Sequence, residues 1–135
     1  MSIRIDHLGI AVESIDNALS FYEEQLGMRV ANRETVEVEK VRVAMLPAGE
    51  DVAAPRIELL EAAEPDSVIT RFIEKRGPGL HHIALKVDNL LATVARLESR
   101  GARLLNEPRE GAGGHLYVFV HPESTGGILL ELIQA

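Results

Sequence analysis

Apolar and polar residues alternate along this chain, then recur at helical spacing, then alternate again, and the whole series runs twice. Residues 3–12 alternate with Ile3, Ile5, His7 and Gly9 on one face and Leu8, Ile10 and Val12 on the other, which predicts a strand. Ser14 can accept bonds from the orphan amides of a first helical turn. Ile15, Ala18, Leu19, Tyr22 and Leu26 follow at helical spacing, and Gly27 supplies a left-handed cap, so one helix is predicted between Ser14 and Gly27. Val30, then Val36 to Val38, and Val41, Val43 and Met45 have strand periodicity. Pro47-Ala48-Gly49-Glu50-Asp51 is turn chemistry, and Pro55 to Ala62 forms a further strand with Glu58 in its middle. A short amphipathic helix over 66–76 presents Val68, Ile69, Phe72 and Ile73 on one face and stops at Gly77. The series then restarts with a strand over 80–88 and a helix from about Leu90 to Arg100, ended by Gly101. Strands over Arg103–Asn106, His115–Val120 and Gly127–Ile133 complete it. The expected fold is α+β, two tandem βαβββ modules (about 3–62 and about 80–134) joined by a linker helix at about 66–77, within one domain spanning 1–135.

The repeat carries metal-ligand residue types at matched places. His7-Leu8-Gly9-Ile10-Ala11-Val12 parallels His82-Ile83-Ala84-Leu85-Lys86-Val87, and Arg56-Ile57-Glu58-Leu59-Leu60 parallels Leu129-Leu130-Glu131-Leu132-Ile133. Glu58 follows His7 by 51 positions and Glu131 follows His82 by 49. A glutamate inside a run such as Ile128–Ile133 is costly to bury unless its charge is paired, and a divalent cation pairs it well. One such residue would ordinarily be read as solvent-facing. Two of them, each in the same frame after a strand histidine, point to His7, Glu58, His82 and Glu131 as ligands of one metal. Imidazole with carboxylate suits Co²⁺, Ni²⁺, Mn²⁺, Zn²⁺ or Fe²⁺ rather than Ca²⁺. Four protein ligands would leave two octahedral positions for substrate or water, which suits Lewis-acid chemistry on a carbonyl.

Composition narrows the partners. The chain has 135 residues, 46% of them hydrophobic, and no run near the roughly 20 apolar residues that span a bilayer. With no cysteine, disulfides and thiolate sites are excluded. A net charge of −7, 4% aromatics and no tryptophan argue against nucleic acid as partner. The N-terminus has no charged region followed by an apolar stretch, so neither a signal peptide nor membrane attachment is expected, and the cytoplasm is the expected compartment. His81 faces away from His82 and reads as structural, while His115 and His121 flank a strand near loops, where the ordinary reading comes first and contact with a substrate is the lesser alternative. Gly111-Ala112-Gly113-Gly114 is an amide-rich loop that could close over an anionic ligand, although tight turns alone also use glycine. Glu34, Glu37 and Glu39 cluster on a predicted hairpin whose ordinary reading is a solvated turn.

With these residues in place the chain resembles the vicinal oxygen chelate superfamily over essentially its whole length, and within it the methylmalonyl-CoA epimerase family. The likeness rests on Ile5–Val12, Lys40–Pro47, Phe72–Ala84 with its Gly-Pro-Gly-Leu-His-His run, Gly111–Gly114, and the His121-Pro122-Glu123-Ser124-Thr125-Gly126-Gly127 segment leading into Glu131. The ligand set alone is shared with glyoxalase I, so the linker helix and the His121–Gly127 segment carry the discrimination. The resemblance implies a curved mixed sheet around a metal-binding cleft, a divalent metal (Co²⁺ foremost, with Mn²⁺, Ni²⁺ or Zn²⁺ as alternatives), an acyl-CoA substrate and a homodimer. It implies epimerisation of (2R)- and (2S)-methylmalonyl-CoA, in which the metal stabilises an enolate and two carboxylates exchange the C2 proton. Glu131 matches a residue that is both ligand and acid/base. The second acid/base of the family aligns with Val38, so a one-residue bulge presenting Glu37, or alternatively Glu39, is expected instead. The alternatives are a glyoxalase-I-like isomerase (lactoylglutathione lyase), a metal-free ligand-binding protein of the resistance kind, and last an extradiol dioxygenase.

Overall fold

The computed structural model describes residues 2–111 and 114–135. The chain divides into two compact units, one of His7–His81 and one of His82–Ala135 together with the segment up to Asp6. Strand β1 (Ile3–Ala11) leaves one unit and enters the other between Asp6 and His7, and β5 (Gly79–Val87) passes back between His81 and His82. Among the described residues no helix is long and apolar enough to cross a membrane.

In the first unit β2 (Asn32–Val36), β3 (Val41–Pro47), β4 (Arg56–Ala62) and β1 lie in that order. β3 is antiparallel to both β2 and β4, whereas β1 runs parallel to β4. The register sets His7 beside Arg56, Gly9 beside Glu58 and Ala11 beside Leu60, so these residues share one face. The opposite face, with Ile10, Ala44, Leu46, Ile57 and Leu59, packs on Ile15 and Leu19 of α1 (Ile15–Leu19). Helix α2 (Val68–Arg76), capped by the buried Ser67 hydroxyl, lays Ile69, Phe72 and Ile73 on Ala11, Val41, Val43 and Leu60. Val68, expected on the apolar face, is exposed.

The second unit repeats the plan. β5, β8 (Leu130–Gln134), β7 (Leu116–Val120) and β6 (Arg109–Glu110) lie in that order, with β5 parallel to β8 and the other pairs antiparallel. Helix α3 (Leu90–Ser99) buries Leu90 and Val94 against Val87, Val118, Val120 and Leu132. The α+β class and the doubled βαβββ order are thus as expected, and the strands of each unit pair in both parallel and antiparallel fashion.

The equivalence extends to a detail the sequence pattern did not disclose. The first helical amide of α1, Ile15 N–H, donates to Glu61 Oε1 at 2.7 Å, and that of α3, Leu90 N–H, donates to Gln134 Oε1 at 2.8 Å. Ser14 and Asn89 cap the same helices from within their own first turns. Glu61 and Gln134 each stand three residues after the candidate ligand of their strand, so they project from the face that α1 or α3 covers while the candidate ligand projects from the other.

Four expectations need correction. The predicted helix from Ser14 to Gly27 is α-helical only to Leu19 and continues as a π-helix over Ser20–Gln25, with Leu26 N–H bonded to Phe21 O. The widened turn rotates Leu26 off the apolar stripe, leaving it exposed, and Met28 and Val30 complete the core. The predicted strand Arg103–Asn106 is reduced to one bridge, Leu104 with Val120. Asn106 Oδ1 accepts from Phe119 N–H at 2.8 Å in place of a ladder carbonyl, and the edge strand is β6. The strand predicted from Gly127 starts at Leu130, because Pro122–Thr125 forms a short helix, α4. β2 ends at Val36 rather than reaching Val38.

Candidate metal centre

His7 and Glu58 sit on adjacent parallel strands and the same face, with His7 Nε2 and Glu58 Oε1 3.5 Å apart. In the second unit His82 and Glu131 repeat this, at 3.6 Å. Both imidazoles are buried, and both glutamate side chains are about as well covered, at 14% and 16% exposure. Ionised carboxylates so shielded need a compensating charge. The separations exceed the usual N–H···O range of about 2.7–3.2 Å. They lie near the roughly 3.0–3.4 Å that separates two donors each about 2.1 Å from one ion in octahedral or tetrahedral geometry. Each pair occupies the sheet face opposite its own module's α1 or α3, so the chemistry of the donors and their spacing both fit a divalent first-row ion.

The neighbours of the two pairs differ. Register places Met45 opposite Glu58 and Asn32 opposite Met45. In the second unit Phe119 stands opposite Glu131, and its ring meets the His82 imidazole edge-on with centroids 6.2 Å apart. Tyr117 packs edge-on against Phe119 at 5.8 Å. Lys86, on the strand face of His82, reaches Asp6 at 3.5 Å. In the sequence pattern Met45 stands out only as a strand residue, and Phe119 and Tyr117 not at all. Their signal, aromatic or thioether residues at strand period, marks a site only once the pairing register is known.

The expected bulge near Glu37 is not found. Val36 pairs directly with Val41, and Glu37-Val38-Glu39-Lys40 form the intervening turn, with Lys40 N–H bonded to Glu37 O and Lys40 at φ 59°. Glu37 and Glu39 are exposed at this tip. Within the unit they lie beyond the Val41–Ala62 pair, four residues along the strand from the Met45–Glu58 pair, or about 13 Å at roughly 3.3 Å per residue. Glu34 shares the strand face of Glu58, in the row of Val43 and Leu60.

Of the remaining histidines, His81 packs and His121 caps a helix. The His81 imidazole meets the Phe72 ring edge-on at 4.9 Å, and burial holds its pKa below the usual 6.5. His121 Nδ1 accepts from Glu123 N–H at 2.9 Å, capping α4. His115 is exposed, and its carbonyl accepts from Gly111 N–H at 2.8 Å. Of the glycine loop, Ala112 and Gly113 lie outside the described residues.

The family model described as the Glyoxalase/Bleomycin resistance protein/Dioxygenase superfamily matches residues 6–119. The mitochondrial methylmalonyl-CoA epimerase of Mus musculus is 36% identical over 134 residues, covering 98% of this chain and 73% of that protein. An ethylmalonyl-CoA/methylmalonyl-CoA epimerase of Cereibacter sphaeroides is 35% identical, with 97% of each covered. A variant of Streptomyces coelicolor methylmalonyl-CoA epimerase in complex with 2-nitronate-propionyl-CoA superposes with a TM-score of 0.86 at 36% identity, covering 98% of this chain and 96% of that one. The chain therefore belongs to the glyoxalase/bleomycin resistance/dioxygenase superfamily and, within it, to the isomerase family of the methylmalonyl-CoA epimerases.

Proposed function

We propose that this chain is a metal-dependent epimerase interconverting (2R)- and (2S)-methylmalonyl-CoA, with His7, Glu58, His82 and Glu131 holding one divalent ion between them. The observation that carries this reading is the buried His–Glu pair repeated at matching positions of both modules, in a chain similar over its full length to epimerases. A divalent ion, with Co²⁺ the first candidate, would supply a Lewis acid toward the substrate's thioester and carboxylate oxygens.

The chain's own residues do the rest. A carboxylate of Glu131 takes the C2 proton on one face while the C–H electron pair moves toward the thioester carbonyl. A second acid then returns a proton to C2 on the opposite face. For that second acid Glu37 is proposed, with Glu39 the alternative, although both belong to the hairpin tip, about 13 Å along the strand from the Glu58 row. The burial of the His82–Glu131 pair keeps bulk water from the proton-bearing oxygen and strengthens every charge interaction there. An acyl-CoA substrate, a homodimer and a cytoplasmic location complete the proposal.

Deuterium wash-in at C2 of methylmalonyl-CoA, followed by NMR with cobalt-loaded protein in D₂O, tests the reading. Exchange is expected, and it should vanish in Glu131→Gln. No exchange in the wild type, together with turnover of methylglyoxal plus glutathione, would replace epimerase by glyoxalase-type isomerase.

A further inference from the structure

The two modules present different side chains opposite their ligand glutamates, Met45 before Glu58 and Phe119 before Glu131. Metal binding asks for no such difference. Phe119 does not stand alone: its ring is edge-on to His82 at 85° and supports Tyr117 edge-on at 79°. Tyr117 is in turn backed by Gly111, where an added Cβ would come within 2.9 Å of the ring. Phe119 and Tyr117 are only partly buried, so they form an aromatic wall beside the His82–Glu131 pair that a ligand can touch.

We infer that Phe119, backed by Tyr117 and Gly111, is the wall that limits the size of the C2 substituent. It selects short 2-alkylmalonyl thioesters over longer ones. This rests on the reading that Glu131 exchanges the C2 proton. A carbon giving its proton to Glu131 lies within about 3–3.5 Å of that carboxylate. The residue directly opposite in an antiparallel pair has its Cβ only about 4.5–5.5 Å from that of Glu131. A methyl group on C2 then fits between C2 and the ring, and each further methylene must displace it. Displacement is resisted because Phe119 is held by His82 on one side and Tyr117 on the other. Met45, with three rotatable bonds, offers no comparable stop in module one.

The test compares methylmalonyl-CoA with 2-ethylmalonyl-CoA in wild type, Phe119→Leu and Phe119→Ala. It uses C2 deuterium exchange for kcat/KM and calorimetry for Kd. One methylene in a close-fitting apolar pocket changes selectivity by about 10–200-fold. The wild type should therefore favour the methyl thioester at least tenfold, with the preference falling in order through Leu to Ala and at least tenfold in the Ala variant. Tyr117→Ala, which removes only the backing, should reduce it by a smaller factor and serves if Phe119→Ala does not fold. Exchange in the wild type with the same methyl-to-ethyl ratio in all variants overturns the wall and leaves the epimerase reading standing. So does a wild type indifferent to the added methylene. A wild type that neither exchanges nor binds either thioester removes the epimerase reading, and the wall with it.

Discussion

If the His7–Glu58 and His82–Glu131 pairs share one ion, thermal stability must report it. Metal that binds only the folded chain stabilises it by RT ln(1 + [M]/Kd), about 2.7 kcal/mol at a hundredfold excess over Kd. For a chain of this length roughly 3–4 °C accompanies each kcal/mol, so Tm should rise by about 10 °C on adding Co²⁺ and return on chelation. Removing one carboxylate ligand should weaken binding at least as much as losing an outer-shell partner, about 10–100-fold. At the same metal concentration a hundredfold weaker site gains only about 0.4 kcal/mol, or roughly 1.5 °C. Each variant is compared with its own metal-free form, so changes in intrinsic stability cancel. Glu58→Gln and Glu131→Gln should therefore lose most of the cobalt-induced shift to a similar extent, although they lie in different modules. Calorimetric titration should give one ion per chain. Two ions per chain, with each substitution abolishing only one binding event, would refute the shared site and leave two independent pairs.

Further outcomes concern the hairpin tip, the core and pH. Glu37→Gln and Glu39→Gln should differ sharply in C2 exchange; equal, near-normal rates would place the second acid elsewhere, with Glu34 on the face of Glu58 the next to test. Leu59 is fully buried between β4 and α1, so Leu59→Ala should lose about 2–5 kcal/mol in urea unfolding. A loss below 1 kcal/mol would mean the unit collapses around the cavity. Asp66 is held below its usual pKa of 3.8 by the hydrogen bond from Lys40. A depressed carboxylate stabilises above its unfolded pKa and loses that contribution as pH falls through the folded value. The Tm difference between wild type and Asp66→Asn should thus be present at pH 7 and close toward pH 3, and a difference independent of pH would count against the ion pair.

What could be read from the sequence followed from local periodicity, and what could not depended on register. The alternation around His7 and His82 and the apolar runs around Glu58 and Glu131 fixed which strand face each ligand takes, because a strand's period is two. Pairing of each His with its own Glu then required only that β1 lie parallel to β4, and β5 to β8, as found. The departures lie where a side chain replaces a ladder carbonyl or where a helical turn widens. Asn106 completes a ladder bond at the edge of β7, so the residues before it need not form a strand. The π-helical turn at Ser20–Gln25 leaves Leu26 exposed although its spacing from Tyr22 suits an α-helix.

The braces at Glu61 and Gln134 show why the repeat runs deeper than its apolar pattern. Each holds the first amide of its module's helix from the strand that carries the ligand, and the odd spacing from Glu58 and Glu131 puts brace and ligand on opposite faces. A carboxylate in one module and an amide in the other meet the same need there, because only an acceptor oxygen is required. Glu61 also accepts from Arg42, tying β3 to β4, whereas Gln134 donates to the Asp88 carbonyl and fixes the turn into α3. In both modules the strand beneath the ligand is thereby pinned from the helix side. If Glu58 and Glu131 hold an ion as proposed, a strand already pinned in this way would leave less ordering for the ion to impose.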